Sequence, residues 1–169
     1  MFNPLVYDLF LSQKIQFKTK FTNNEIKLYN YFTKKTKFAP QNLFSVNDFI
    51  FFFIEPINYY HCKIYQYVLR RELTEKKLMI ISLQPTLIKQ IFSFFPDIHI
   101  QDIKVKPNPI KNDLSIIICV LSNEERNIAI GTGGDYIKAV NMILEKYVKY
   151  GGRYFTNIPF KIHCKLVDF

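Results

Sequence analysis

The stretch NIAIGTGGDYIKAV, residues 127–140, holds three of the 5 glycines in this 169-residue chain. Glycine weakens regular structure, and it is used where the backbone turns sharply or approaches another group closely. Apolar residues precede the cluster. A helical pattern follows it, with one face formed by Ile137, Val140, Leu144, Tyr147 and Val148. The sequence therefore predicts a tight turn that opens a long helix and faces a ligand.

Periodicity predicts the elements on either side of the turn. Upstream we expect a helix opened by Pro85, strands over 98–106 and 114–121, and a short helix capped by Ser122. Downstream, the long helix should run to about residue 150, where Gly151 and Gly152 end it. Residues 158–167 alternate apolar and polar side chains and should form a last strand. We detect no internal repeat in the sequence.

The upstream third of the chain is basic and aromatic. Residues 1–40 interleave lysines with Phe and Tyr, and we expect an extension with little core of its own. Residues 61–78 have a helical pattern with Ile64, Tyr67, Val68 and Leu73 on the apolar face, and 78–83 should form a strand. The predicted organisation is an extension over 1–57, a basic helix and strand over 58–84, and a core domain over 85–169.

Composition bounds the class of protein. The chain is 49% hydrophobic and carries a formal net charge of +9, so it can bury a core and should favour a polyanionic partner. A solvated basic face without a partner is the alternative. The dense apolar run Phe49–Ile54 is too short to cross a membrane and should be a buried strand. The three scattered cysteines do not indicate a disulfide framework.

No pattern in the sequence favours an enzyme. The pairs His61–Cys62 and His163–Cys164 lack the spacing of a metal site, because neighbours on a strand point to opposite faces. No Lys-Ser/Thr pair follows the glycines, as a nucleotide-binding loop requires. We therefore expect no catalytic residues, no metal ion and no cofactor.

The order helix, strand, strand, helix, glycine turn, helix, strand from about residue 86, together with IGTGGDYIKAV (130–140), resembles a KH domain of the second topological type. That resemblance implies an α+β fold of order α-β-β-α-α-β, with a three-stranded sheet that has its helices on one face. It also implies that the Gly-x-x-Gly loop clamps the backbone of about four nucleotides. An apolar groove lined by Ile128, Ile130, Ile137 and one face of 114–121 would receive the bases.

The loop departs from the KH pattern in its charge. Many members have Lys or Arg between the two glycines, whereas this chain has Thr132 and Gly133, followed by Asp135. Arg126 and Lys138 must then supply the positive charge. The candidate RNA-binding residues are Arg126, Ile130, Gly131, Thr132, Gly133, Gly134, Lys138, Lys104, Lys106 and Lys111.

Three further segments, KIYQYVLRREL (63–73), LMIISL (78–83) and IPFKIHCKLVD (158–168), look like the N-terminal half of the universal small-subunit ribosomal protein S-three family. This resemblance implies a structural role near the mRNA entrance, with small-subunit ribosomal RNA as the main ligand. Messenger RNA, neighbouring head proteins and a separately encoded C-terminal half would be further partners, and no membrane would be involved. The abundance of Lys, Asn, Ile, Phe and Tyr indicates an AT-rich, organellar gene, and hence a mitochondrial ribosome or, alternatively, a plastid one.

Two other functions fit the same residues. The chain could be a free-standing KH module that acts in ribosome assembly or transcription, or a scaffold subunit that binds no RNA. The dependence of binding on salt separates them, because a phosphate binder loses affinity steeply as the salt concentration rises.

Overall fold

Two three-stranded sheets organise the mixed α+β structure. The computed structural model describes residues 4–18, 21–151 and 158–168. One sheet is formed by strands within residues 42–82 and the other by strands within residues 102–166, and a small two-stranded sheet pairs residues 15–17 with 148–150. Each large sheet and its helices come from one continuous stretch of chain, which we call the first unit and the second unit.

The first unit consists of α2 (Asn23–Thr36), β2 (Asn42–Val46), β3 (Phe49–Ile54), α3 (Tyr59–Lys63), α4 (Gln66–Glu72) and β4 (Lys77–Ser82). Strand β3 pairs antiparallel with β2 and parallel with β4. All six residues of β3 are buried, as its continuous apolar sequence predicts for a strand covered on both faces. The boundary predicted between the extension (1–57) and the segment 58–84 therefore falls between β3 and β4, which pair within one sheet.

The second unit consists of α5 (Leu87–Phe94), β5 (Asp102–Asn108), β6 (Asp113–Val120), α6 (Asn123–Ile130), α7 (Asp135–Lys146) and β8 (Phe160–Leu166). Strand β6 pairs antiparallel with β5 and parallel with β8. The glycine turn lies between α6 and α7, as the sequence predicts. Ser122 caps α6 by accepting a hydrogen bond from the Glu125 N–H, which confirms its expected role.

The two units repeat one topology. Each runs helix, strand, strand, helix, helix, strand, with an antiparallel hairpin followed by a parallel crossover. The amino-acid sequence shows no such repeat. Two helices or two strands can have the same place in the fold when their apolar residues recur at the same helical or strand period, even if the residues themselves differ. The turn between α3 and α4, at Ile64 and Tyr65, contains no glycine, unlike its counterpart in the second unit.

The N-terminal stretch is not the core-poor extension that its composition predicts. It forms α1 (Pro4–Leu11) and β1 (Ile15–Phe17) before α2. Phe10, Leu11, Ile15 and Phe32 are all buried. Of the aromatic residues between the lysines only Phe32 is fully buried, and Phe21 is exposed, so the buried residues of this stretch are one face of each amphipathic element.

Two elements differ from the sequence prediction at their ends. The long helix α7 stops at Lys146, and residues Val148–Tyr150 form β7, which pairs antiparallel with β1. Gly151 therefore follows a strand, where its N–H donates to the Lys14 carbonyl, and Gly152 lies outside the described residues. The strand expected from residue 98 begins at Asp102, and it is half-buried as predicted.

The helical stretch from residue 61 buries the face opposite to the predicted one. It divides into α3 and α4 and gives way to β4 at Lys77. Of the predicted face, Ile64, Tyr67 and Val68 face solvent and Leu73 is half-buried against the core of the first unit, whereas Cys62, Gln66 and Leu69 are buried. Gln66 lies inside because its side-chain carbonyl accepts the Ile80 N–H at 3.2 Å, a contact that periodicity does not reveal.

Aromatic packing joins the two units. The face of the first sheet that α2, α3 and α4 do not cover contributes Phe51 and Phe53 to a core shared with the second unit. Phe53 meets Phe94 of α5 edge-on at 5.7 Å, and Phe51 stacks with Tyr136 of α7 at 5.9 Å between ring centroids. This shared core holds the start of α7, and so the glycine turn, against the first sheet.

Candidate functional site

The glycine turn has a backbone that other residues rarely adopt. Gly131, Gly133 and Gly134 all have positive φ, at 79°, 62° and 77°. The Gly131 N–H donates to the Asn127 carbonyl at the end of α6, and the Gly134 N–H donates to the Gly131 carbonyl. The glycines therefore reverse the chain between two helices within a single 3-10 turn, Thr132–Gly134.

The three glycines differ in the space around them. A Cβ atom on Gly131 would lie 2.1 Å from Asp135 Oδ1 and 2.8 Å from the Tyr136 backbone nitrogen. A Cβ atom on Gly133 would meet nothing within 4 Å. Gly131 thus serves the fold, whereas the open side of the turn lies at Gly133 and Gly134.

The N-terminus of α7 carries no side-chain cap. Its N-cap residue is Gly134, which has no side chain to accept a hydrogen bond. Asp135 is turned inward against Gly131, and its Oδ1 is buried with no partner in the described part of the chain. Lys138 returns over the turn, with its Nζ 3.4 Å from the Gly133 carbonyl. An uncapped helix start with a cation beside it suits an anion.

A cavity of about 420 Å³ opens beside the turn, between the two units. The second unit borders it with Gly131, Thr132 and Asp135, and the first unit borders it with Arg70 and Lys77. These two cations, from α4 and β4 respectively, border the same cavity as the turn. They supply positive charge of the kind that the loop itself lacks between its glycines.

Arg70 is held in place at the cavity wall. Its Nε donates to the Leu78 carbonyl at 2.8 Å, and its second guanidinium nitrogen lies 3.0 Å from Met79 Sδ. Burial lowers the pKa of Arg70, and Asp97 across the cavity opposes this shift. Lys77 lies with its Nζ 5.9 Å from the centroid of the Phe49 ring.

The expected apolar groove is present only in part. Ile128 borders the cavity and is exposed, whereas Ile130 and Ile137 are half-buried against the shared core. Strand β6 is buried along most of its length and does not border the cavity. The cavity is therefore lined by Ile128 and the first sheet, and not by the 114–121 strand.

The second sheet presents a basic outer face, opposite the face that its helices cover. The inward positions, such as Ile116 and Ile162, belong to the core. The outward positions on the two outer strands are exposed, and they form three cross-strand rows with β6 in the middle. The rows are Lys106–Ser115–Lys161, Lys104–Ile117–His163 and Asp102–Cys119–Lys165.

The charge on this outer face lowers the pKa of His163. Burial is the main cause, followed by the positive charges of Lys165 and Lys111, while Asp113 acts in the opposite direction and Lys161 adds a smaller lowering effect. These contributions also place Lys111, from the turn between β5 and β6, beside the same face. A face on which lysines disfavour a further positive charge is suited to bind a polyanion.

The structure thus divides the predicted site residues between two surfaces. Ile130, Gly131, Thr132, Gly133, Gly134 and Lys138 lie together at the glycine turn. Lys104, Lys106 and Lys111 lie at the outer face of the second sheet. Arg126 is exposed on α6, and its charge acts on Cys164 of β8, so we place it beside the sheet and not at the turn.

Sequence reasoning missed five cations or titratable groups of these surfaces. Arg70 and Lys77 left no signal, because only the packing of the two units brings them to the cavity beside the turn. The sequence does contain a signal for the other three, because the polar positions of the alternating strand β8 are Lys161, His163 and Lys165. Relating them to Lys104 and Lys106 required the strand register.

In the described ranges no group of three His, Cys, Asp or Glu side chains could hold a metal ion. All three cysteines are buried as free thiols, and burial raises the pKa of Cys62 and of Cys164 to about 11. None of the helices that the structure describes is long and apolar enough to cross a membrane.

Comparison with known proteins identifies a similar fold. No family model matches the chain, and no curated protein matches it. Solved structures do match, and among them is the crystal structure of APE1850, with a TM-score of 0.58 and 18% identity over 86% of this chain and 100% of that one. The matched 86% of this chain is more than either unit contains, so the similar region includes residues of both units. At this identity it shows the fold alone: the chain is an α+β protein whose two-unit architecture is similar to that of APE1850.

Proposed function

We propose that this chain binds RNA, with residues 85–169 acting as a KH domain of the second type, and that it is a structural constituent of the small subunit of an organellar ribosome. The observation that carries the proposal is the uncapped glycine turn at the start of α7, set in the order α5-β5-β6-α6-α7-β8 that such a domain has. The three-stranded sheet with helices on one face supports the same assignment.

The two surfaces would have different roles. The turn would hold a phosphate against the N-terminus of α7, with Lys138 above it and Arg70 and Lys77 on the far side of the cavity. The outer face of the second sheet would follow the RNA backbone through Lys104, Lys106, Lys161 and Lys165. Such contacts position RNA without reading its sequence, as a structural role requires.

Binding of a short fluorescein-labelled single-stranded RNA, followed by anisotropy over a range of salt concentrations, tests the RNA-binding part. The logarithm of affinity should fall with that of salt by about 0.7 for each phosphate contacted. Replacing Lys104 and Lys161 together by Gln should reduce this slope by about 1.4. The matched control replaces Lys27 and Lys34 by Gln, which removes the same charge from exposed positions on α2.

Two substitutions at one position test the turn. Gly134 has room for a side chain, since a Cβ there would meet Lys138 Cε at 3.6 Å. Asp and Asn both tolerate its positive φ. Gly134→Asp should weaken binding because its carboxylate occupies the phosphate position, while Gly134→Asn should bind nearly as the parent does. Equal affinities for the two variants would show that the turn holds no phosphate.

The place of the protein in the cell needs a separate test, because one observation favours the second candidate, a free-standing RNA-binding module. The first unit contains a three-stranded sheet, where the ribosomal resemblance implies only a basic helix before the KH core. A sucrose gradient of organellar extract in high salt, read by mass spectrometry, separates the two. Co-migration with the small subunit supports a ribosomal constituent, and release to the top of the gradient supports the free module.

A further inference from the structure

The 3-10 turn Pro56–Asn58 and the helices α3 and α4 that follow it carry an apolar stripe that faces away from the protein. It consists of Ile57, Tyr60, Ile64, Tyr67 and Val68, whose exposed fractions are 80%, 80%, 73%, 70% and 47%. The residues follow each other at helical spacing, and the two residues that separate α3 from α4 also have helical backbone angles. We call this surface the tyrosine stripe.

The tyrosine stripe is not needed to fold the first unit. The opposite flank of the same helices supplies the packing, through Cys62 and Leu69 in the core and Gln66 on the backbone of β4. Within the described ranges, all five stripe residues stay open to solvent. Contiguous exposed apolar surfaces mark interaction sites, whereas apolar residues exposed singly are common and need no explanation.

The charges around the stripe are positive. From Pro56 to Arg71 the chain contains no carboxylate, whereas it contains His61, Lys63, Arg70 and Arg71. The Arg71 guanidinium lies 5.7 Å from the centroid of the Tyr67 ring. Lys63 and Arg70 make their contacts on the opposite flank of the helices, with Gln66 Oε1 at 3.2 Å and with the Leu78 carbonyl at 2.8 Å. Glu72, which follows, is already paired with Lys35 at 3.0 Å. Glu55, which precedes, accepts a hydrogen bond from Gln41 Nε2 at 3.0 Å.

One carboxylate does act on this region, from the side of the cavity. Asp97 raises the pKa of Lys63 and of Arg70, although burial lowers both more strongly. Asp97 borders the cavity with Arg70, whereas the stripe residues do not border it. The ligand that suits the stripe is therefore anionic and offers flat apolar groups.

We propose that the tyrosine stripe is a second RNA-contact surface, on which unpaired bases stack. Tyr60 lies on α3 and Tyr67 on α4, with Ile64 in the turn between the two helices. Stacking on exposed aromatic rings beside cations is how proteins hold single-stranded RNA without reading its sequence. The inference rests on the proposed RNA-binding function, and it adds a site in the first unit.

The position of the stripe in the repeat supports this assignment. The turn between α3 and α4 corresponds to the glycine turn between α6 and α7. Without glycine, its backbone cannot approach a phosphate as closely. The first unit therefore contacts RNA through side chains, where the second unit uses its backbone.

The experiment compares two RNA probes of equal length, one with all its bases and one in which the central nucleotides are abasic. The variant Tyr60→Ala with Tyr67→Ala should bind the complete RNA about tenfold more weakly than the parent. It should bind the abasic RNA as the parent does, because no base is left to stack. Tyr60→Phe with Tyr67→Phe should restore the affinity for the complete RNA, since the rings remain.

Ile26→Ala with Phe92→Ala is the matched control, because it removes an exposed aliphatic and an exposed aromatic side chain elsewhere. If the Tyr-to-Ala variant binds complete RNA as tightly as the parent, while Gly134→Asp weakens binding, the stripe is not an RNA surface and a protein partner becomes its occupant. In that case the proposed function stands. If the parent itself does not bind RNA, both the stripe proposal and the proposed function are overturned.

Discussion

Asn141 of α7 and Ile162 of β8 are joined by two hydrogen bonds. The Asn141 side-chain amide donates through Nδ2 to the Ile162 carbonyl at 3.1 Å, and the Ile162 N–H donates to Asn141 Oδ1 at 2.8 Å. Strand β8 lies at the edge of its sheet, so Ile162 has no neighbouring strand on that side. The Asn141 side chain supplies both partners that such a strand would supply.

Asn141→Ala should lower the free energy of unfolding by about 1–3 kcal/mol, because the half-buried N–H and carbonyl of Ile162 then lose their partners. Urea unfolding followed by circular dichroism measures the change. Asn123→Ala, at an exposed position on α6, is the control and should change stability by less than about 0.5 kcal/mol. Equal effects of the two substitutions would mean that the paired hydrogen bonds do not stabilise the edge of the sheet.

Gly131→Ala and Gly133→Ala should differ in stability, although both glycines have positive φ. At Gly131 the new Cβ would meet the Tyr136 backbone nitrogen at 2.8 Å, and its ψ of 175° belongs to a region open almost only to glycine. We expect a loss of about 3 kcal/mol there. At Gly133 the surroundings are open, and the loss should be about 1 kcal/mol, which is the left-handed backbone cost alone. Urea unfolding of the two variants side by side checks the order, and a reversed order would contradict it.

RNA binding should strengthen as the pH falls below the ordinary pKa of histidine, about 6.5. In the free protein, burial and the neighbouring lysines lower the pKa of His163, so its ring is neutral near pH 7. A bound phosphate would favour the charged ring and raise that pKa, and a rise of about one unit corresponds to about a tenfold gain in affinity at low pH. His163→Gln should lose this gain while keeping the affinity at neutral pH. The same pH dependence in both proteins would place His163 away from the bound RNA.

The same shift has the opposite effect on the stability of the free protein. Because the folded state disfavours the charged ring, the unfolded chain takes up the proton more readily as the pH falls through about 6.5. The contribution of His163 is therefore fully present above that pH and decreases below it. The stability of His163→Gln should depend less on pH in this range, as urea midpoints would show.

Tyr136→Phe should flatten the loss of stability in alkali. The Tyr136 hydroxyl donates to the Phe94 carbonyl within the second unit, and burial raises its pKa far above the usual 10.0. Asp97 and Tyr59 raise the pKa further, whereas Arg70 lowers it. Above about pH 10 the unfolded chain releases this proton and the folded chain does not, so stability falls as the pH rises.

The phenylalanine variant has no proton to release, so its stability should fall less between about pH 10 and pH 11. Near pH 7 it should be less stable than the parent by about 1 kcal/mol, because the hydrogen bond to Phe94 is lost. Denaturant titrations of both proteins at each pH measure this slope. Tyr59, whose pKa is raised to about 12, is present in both proteins and does not alter the comparison. Parallel curves would mean that Tyr136 is ionised equally in the folded and unfolded states.

Several features could be read from the sequence because their cause is local. Three glycines in four residues predict the turn that they form, since positive φ depends on the residue itself. Ser122 three residues before Glu125 predicts the cap on α6. The alternation in β8 predicts its buried Ile162 and Cys164, because successive side chains of a strand point to opposite faces.

Other features depended on neighbours that the sequence does not name. The stretch from residue 59 to 72 has apolar residues on two faces, and the contacts of Gln66 and Leu69 with β4 decided which face turned inward. Val148–Tyr150 continued a helical pattern but became a strand, because β1 lies beside it. In both places local preference was weak and the partner surface decided the outcome.

The sequence by itself therefore determined the local elements: the turn, the helix start and the strand whose inner and outer faces alternate. Tertiary structure alone decided which charges meet, because Arg70 and Lys77 border the cavity beside the turn only through the packing of two units. It alone decided that Lys104 and His163 share a row, because a shift of one residue in register would send them to opposite faces. Backbone preference acts within a few residues, whereas contact between distant residues is set by the whole packed chain.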